Sequence, residues 1–310
     1  MGRILRCSLA PLAVLAVSCA APGAGAGPPR RVVELEVQVD LARGGADTVL
    51  WLPMPREDGV QHCEVIEAPP AARLSGPDRH GNRYFSITGA AAGSYLWRFR
   101  VERRPDGAGL SGGEADPVYL QANRLVPVDG EAATRAAEAA VGRTGVVEQA
   151  RAFYDRVLAD MVYRKEGEGW GTGSTEWACR AGYGNCTDFH ALFISMARSR
   201  GIPARFTIGF PLPAEAGAGE IGGYHCWAHY FRPGVGWVPV DISEADKHPE
   251  RREEFFGTLP ADRVAMTVGR DLILDPPQQA GPLNFLVRAY AEKDGRPLEA
   301  ATTVRFRDLR

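Results

Sequence analysis

Beyond its first two dozen residues, the 310-residue chain has no stretch long and apolar enough to cross a bilayer as a helix. It also lacks an excess of either charge. Lys and Arg number 36 against 38 Asp and Glu, a formal net charge of -2, so no broad basic face exists to neutralise a phosphate backbone, and nucleic-acid binding is set aside. Cysteine is scarce, with six residues at spacings that match no small disulfide framework, and a chain of this length can bury a core without covalent staples. No internal repeat is visible, which excludes solenoid and propeller architectures. What remains, 45% hydrophobic and 24% charged, is the composition of a globular protein with room for two modest domains behind a leader.

The leader is residues 1–26, read as a secretory signal peptide. Arg3 and Arg6 precede an apolar run from Leu9 to Val17, and small residues follow from Ala20 to Gly27. Leu15-Ala16-Val17-Ser18-Cys19 resembles a bacterial lipobox, with Ala16 where leucine is usual. Acylated at Cys19, the chain would be a lipid-anchored lipoprotein, the Pro/Gly/Ala stretch after it serving as a tether. Ordinary cleavage after Ala20 or Ala26 is the equal alternative. Either way the protein is expected to be exported, to the periplasm or anchored at the outer membrane. In an oxidising compartment the remaining Cys63, Cys179, Cys186 and Cys226 admit one bridge, with Cys179–Cys226 the candidate that leaves Cys186 free.

Residues 30–104 read as a small all-β domain. Val33, Leu35, Val37 and Val39 alternate with Glu34, Glu36, Gln38 and Asp40, the pattern of a strand with one dry and one wet face. Further strands are expected at Val49–Pro55 and Tyr95–Val101, and the Gly-rich stretch Arg104–Asp116 reads as a linker. Helical spacing then takes over at Glu131–Ala140, at Val146–Asp160 and at Cys186–Arg200, the last stopped by Gly201 and Pro203. Trp170–Gly184 shows no periodicity and is expected to be a loop. Strands return at Ala204–Phe210, Cys226–Arg232 and Gly236–Val240. Residues 115–275 therefore form the second unit, and residues 276–310 supply C-terminal strands around an Asp294-Gly295 turn.

The chemistry points to the start of the third helix. Unpaired N–H groups at a helix N-terminus lower a thiol's pKa and can stabilise an oxyanion, which suits Cys186 to nucleophilic attack. A nucleophile needs a base, and the base an orienting acceptor. His225 opens one strand and Asp241 ends the next, with a tight turn at Pro233-Gly234 between them, so the two side chains should meet. A buried structural cysteine, a core histidine and a capping aspartate are the bland alternatives at each position.

Taken in series, these segments carry a resemblance. Gly184-Asn185-Cys186-Thr187-Asp188-Phe189-His190 with the following Gly201-Ile202-Pro203-Ala204-Arg205, then Tyr224-His225-Cys226-Trp227, then Gly236-Trp237-Val238-Pro239-Val240-Asp241, resemble the nucleophile, histidine and aspartate motifs of the transglutaminase-like superfamily. The resemblance implies an α+β fold, a papain-like transglutaminase core with a helix packed on antiparallel sheet, preceded by the small all-β domain. It also implies a catalytic triad of Cys186, His225 and Asp241 that acts on a carboxamide or peptide carbonyl through a thioester, without cofactor or metal. Water as acceptor would make a protease or amidase, and an amine a cross-linking acyltransferase; the partner in either case is a peptide or protein substrate. A catalytically silent peptide-binding module is the alternative.

Four neighbours compete for roles. Cys226 stands where alanine is common in the family, and alternation along a strand should turn it away from the face that His225 presents to Cys186. His190, one turn after Cys186, is a rival base without an evident orienting acceptor. Trp170 and Trp177 are candidates to line the acyl site. A zinc site is disfavoured because His225 and His229 on one strand lie roughly 13 Å apart. The segment Asp262–Asp271 is expected to flank the cleft, with no chemistry assigned.

Overall fold

The computed structural model of the chain describes residues 1–2 and 30–309; the leader from Arg3 onward, with Cys19, lies outside the described residues. The alternating segment forms the strand Arg31–Leu41. Its Val33, Leu35, Val37 and Val39 are all at most 2% exposed. This strand lies between Gly93–Arg103 and Ala301–Asp308, antiparallel to both. Ala218–Glu220 and Gln61–Glu67 form the edges of this five-stranded sheet.

A second five-stranded sheet runs Arg296–Leu298, Tyr290–Lys293, Thr48–Pro53, Tyr84–Thr88, Arg73–Leu74. The two sheets bury side chains against each other, with the Phe85 ring 6.3 Å from Trp97 and 6.1 Å from Phe99. Each sheet takes strands from both ends of the chain. Residues 290–308 thus share a sandwich with the N-terminal strands, and Asp294 and Gly295 turn with φ of 50° and 69°, the left-handed pair that a tight hairpin requires.

Between these strands the chain builds a second layer. Helices α1 (Gly130–Ala139), α2 (Val146–Asp160), α3 (Thr175–Ala181), α4 (Cys186–Ser199) and α5 (Ile242–Lys247) accompany a four-stranded antiparallel sheet. Its order is Gly236–Val240, His225–Arg232, Ala204–Pro211, Arg263–Val268. Helix α4 is central. It packs on the sheet and is flanked by α1, α2 and α3, and every residue from Cys186 to Arg198 is buried. Burying Phe189, Leu192, Phe193 and Met196 contributes about 1.5–3 kcal/mol each, which fixes the helix that carries the thiol. The architecture is α+β, an all-β region joined to a helix-on-antiparallel-sheet core.

Two sequence expectations change. Trp170–Gly184 is not all loop: Ser174 accepts the Trp177 N–H at 3.3 Å, and Gly182, at φ 65°, ends a two-turn helix too short to show a period. Arg104–Asp116 is not a free linker either. Asp106–Gly107 pairs with Thr258–Leu259, and the Asp106 carboxylate, 2% exposed, accepts from His229 Nε2 at 2.9 Å.

Candidate active site

Cys186 is the first residue of α4, and the sequence before it explains why the helix begins there. The Asn185 side chain accepts the Thr187 N–H at 2.9 Å, and Asp188 Oδ2 reaches back to the Asn185 N–H at 2.9 Å, a reciprocal cap. Asp188 also accepts the N–H groups of Gly171 at 2.7 Å and Gly173 at 2.9 Å. One buried carboxylate therefore starts the helix and fastens the glycine-rich loop that precedes it. Asn185 takes the Thr187 N–H with its side chain and that of Asp188 with its carbonyl. This leaves the amide of Cys186 itself without a partner among the described residues, fewer free N–H groups than the sequence suggested.

His225 opens its strand, and Asp241 follows the last residue of the neighbouring one, where it caps α5. Their contact is short: His225 Nε2 donates to Asp241 Oδ2 at 2.6 Å. Asp241 is completely buried, and its other oxygen accepts from Ser243 Oγ and the Glu244 N–H, both at 3.2 Å. Burial would raise its pKa, but the charges of His225 and Arg263 outweigh that and hold the carboxyl far below the usual carboxylate range. With Nε2 committed to the acid, the imidazole offers Nδ1 to the thiol. Burial opposes the imidazolium, while Asp241 and the bonded Cys186 favour it, so the His225 pKa is pushed up to about 9. The Cys186 thiol is held well below its ordinary value by hydrogen bonds from Cys226 and His225, against the opposing effect of burial. Thiolate and imidazolium thus face each other with a carboxylate behind them.

Cys226 departs from expectation. It does not turn away: its sulfur lies 3.7 Å from His190 Nδ1 on α4 and helps to lower the pKa of Cys186. Cys226 faces α4, and His225 heads the strand, opposite Gly209 in register. Nor does Cys226 bridge to Cys179; all four cysteines among the described residues are free and buried.

His190 takes a structural part. Its Nε2 accepts the Ile242 N–H at 3.1 Å, so Nδ1 carries the proton and donates to the Cys186 carbonyl at 2.7 Å. Burial lowers its pKa to about 4, keeping it neutral as a brace between the starts of α4 and α5. His229 is drawn off to Asp106, away from the triad.

Trp170 donates its indole N–H to Gly167 within its own loop at 3.1 Å, and Trp177 packs edge-on against Tyr183 at 5.2 Å. No hydrogen bond or ring contact joins either to Cys186. Tyr163 and Tyr224 stand near enough to the thiol to feel its charge. Both phenols are kept protonated, first by burial and then by the charge of Cys186, and Tyr224 is raised to about 12. Tyr224 also bonds Asn185 Nδ2 at 2.9 Å and Thr187 Oγ1 at 3.1 Å. Its position beside His225 in the sequence is the signal that could have found it. Arg263, bonded to Asp241 Oδ2 at 2.7 Å, had no sequence signal beyond its place in the segment after the aspartate.

Residues 133–242, which hold Cys186, His225 and Asp241, match the transglutaminase-like superfamily. The chain has a transglutaminase-like fold. A candidate cysteine protease from Cytophaga hutchinsonii shares the fold over 91% of this chain and 92% of its own, with a TM-score of 0.52 and 13% identity. The periplasmic domain of TgpA from Pseudomonas aeruginosa aligns with 70% of this chain and 92% of its own at a TM-score of 0.37 and 17% identity. An uncharacterised protein of Haemophilus influenzae is 28% identical over 221 residues, 61% of this chain. That match spans 60% of the relative's length.

Proposed function

We propose that this transglutaminase-like chain is an exported thiol enzyme acting on a peptide carboxamide or carbonyl, with Cys186 as nucleophile, His225 as acid and base, and Asp241 as the group that orients the imidazole. The observation that carries the reading is the 2.6 Å contact of His225 with Asp241 beside a Cys186 thiol at a capped helix start, whose pKa His225 helps to lower. The Cys186 thiolate adds to the carbonyl carbon, and the Cys186 amide faces the developing oxyanion. Collapse of the intermediate breaks the C–N bond while His225 gives its proton to the departing nitrogen, leaving a thioester and a neutral imidazole. Water or an amine then attacks the thioester, surrenders a proton to His225 and releases the Cys186 thiolate, which restores the starting ion pair. Water makes the enzyme a protease or amidase, and a lysine amine makes it a cross-linking acyltransferase. Arg3, Arg6 and the apolar run behind them support export, and Cys19 supports a lipid anchor.

One observation favours a silent peptide-binding module: Cys186 is only 2% exposed and His225 7%. Alkylation separates the two readings. An activated Cys186 reacts with iodoacetamide faster than a free thiol at pH 7, and turnover of a peptide library, with and without an amine donor, disappears in Cys186→Ala. Ordinary alkylation together with no turnover would establish the binder instead. The mass of the mature N-terminus reports export and acylation, and an uncleaved leader would refute both.

A further inference from the structure

We infer that Arg263 is a positioning residue that tempers the basicity of His225 by sharing the Asp241 carboxylate with it. The inference rests on the thiol chemistry proposed for this site. Arg263 opens the last strand of the core sheet, opposite Pro211 in register, and is 4% exposed. Its Nη1 lies 2.7 Å from Asp241 Oδ2, the same oxygen that accepts His225 Nε2–H at 2.6 Å.

The orientation of the carboxylate does not require this arginine, because Ser243 and Glu244 hold Oδ1. What Arg263 adds is a positive charge on the oxygen that serves the imidazole. That charge is held in place. The guanidinium lies over the Trp227 ring at 5.2 Å, Arg103 lies over the same ring at 5.6 Å, and Trp227 is 6.1 Å from the His225 ring. Asp262, at 3.5 Å from Nε, offsets part of it. The other titratable groups facing the triad are His190 from α4, Glu244 from α5, Tyr154 from α2, Tyr163 and Tyr224 beside the thiol, Cys226 from the strand of His225, and Arg103 from the sandwich. His190 is neutral, so apart from His225 itself Arg263 is the cation in direct contact with the acid.

The chemistry needs such a moderator. Once the thiolate has attacked, His225 must release its proton to the departing nitrogen. A carboxylate shared with a guanidinium stabilises the imidazolium less than an unshared one, so the proton leaves more readily. It also remains ionised once the imidazole is neutral, so Asp241 does not capture the proton.

Alkylation by iodoacetate tests this, because the anionic reagent reacts fastest while the thiolate stands beside a charged imidazolium. Its rate should trace a bell against pH, with an alkaline limb that reports His225. In the wild type that limb is expected near pH 9. In Arg263→Gln it moves up by about one pH unit, while Arg263→Lys, which keeps the charge, holds it near the wild-type position. A residue that merely supports the fold would lower the melting temperature and leave the limb in place. A limb that stays or falls in Arg263→Gln, or that moves equally in Arg263→Lys, overturns the inference; if the glutamine variant does not fold, Arg263→Met, which also removes the charge, is read in its place by the same criterion. No bell in the wild type would instead count against the thiol chemistry itself.

Discussion

Replacing Asp241 by Asn is the most informative single perturbation of this site, because the carboxylate has two separable jobs. It raises the His225 pKa from 6.5 to about 9 together with Cys186, which at about 1.4 kcal/mol per pH unit is on the order of 3 kcal/mol in favour of the imidazolium. It also neutralises Arg263, buried to 4% exposure. An Asn carbonyl placed toward Arg263 leaves its NH2 group on Oδ1's partners, the Ser243 hydroxyl and the Glu244 N–H; placed the other way, the NH2 group meets two donors, His225 Nε2–H and Arg263 Nη1. Either orientation sets donor against donor. The expected result is an alkaline limb of iodoacetate labelling that falls from about 9 toward 6.5, opposite in sign to Arg263→Gln. Leaving the Arg263 charge unpaired should cost about 3–5 kcal/mol of stability, measurable by urea unfolding. An Asp241→Asn protein that keeps the wild-type limb would refute the argument that this carboxylate sustains the ion pair.

Asp188→Ala removes three backbone acceptor contacts, to Asn185, Gly171 and Gly173, and should cost about 3 kcal/mol or more; a melting temperature within a degree of wild type would contradict this. Stability should also fall on acidification. His80 and His190 are lowered by burial to about 4, so between pH 6.5 and 4 the unfolded chain binds more protons than the native one, and stability decreases as pH falls through that window. Asp241, whose pKa is depressed, adds to the loss below the ordinary aspartate value of 3.8. Between 6.5 and 9 the raised His225 loses stabilisation as pH rises, whereas the lowered Cys186 gains it, so the two oppose each other. Thermal melts should therefore be nearly flat from pH 7 to 8.5 and drop at pH 5, and a transition unchanged at pH 5 would contradict the burial of neutral histidines.

Local patterning carries much of this molecule. The alternation of Val33 to Val39 can bury only one face of a strand, and the stripe Phe189, Leu192, Phe193, Met196 needs a helix to gather it. Asn185 and Asp188 write the start of that helix into the chain, and Asp294-Gly295 writes a hairpin, because each depends on neighbours a few residues away. The order of Cys186, His225 and Asp241 was likewise legible, since one helix start and two consecutive strands bring them together.

Tertiary structure decided what depends on distant partners. Arg263 reaches Asp241 across 22 residues, Asp106 reaches His229 across 123, and strands near residue 300 pair with those near residue 35. Nothing local marks any of these, because the partner that gives each its meaning arrives only when the sheets close. The same holds for Cys226: alternation gives the face of the strand on which it lies, and its place 3.7 Å from His190 depends on how α4 packs against that strand.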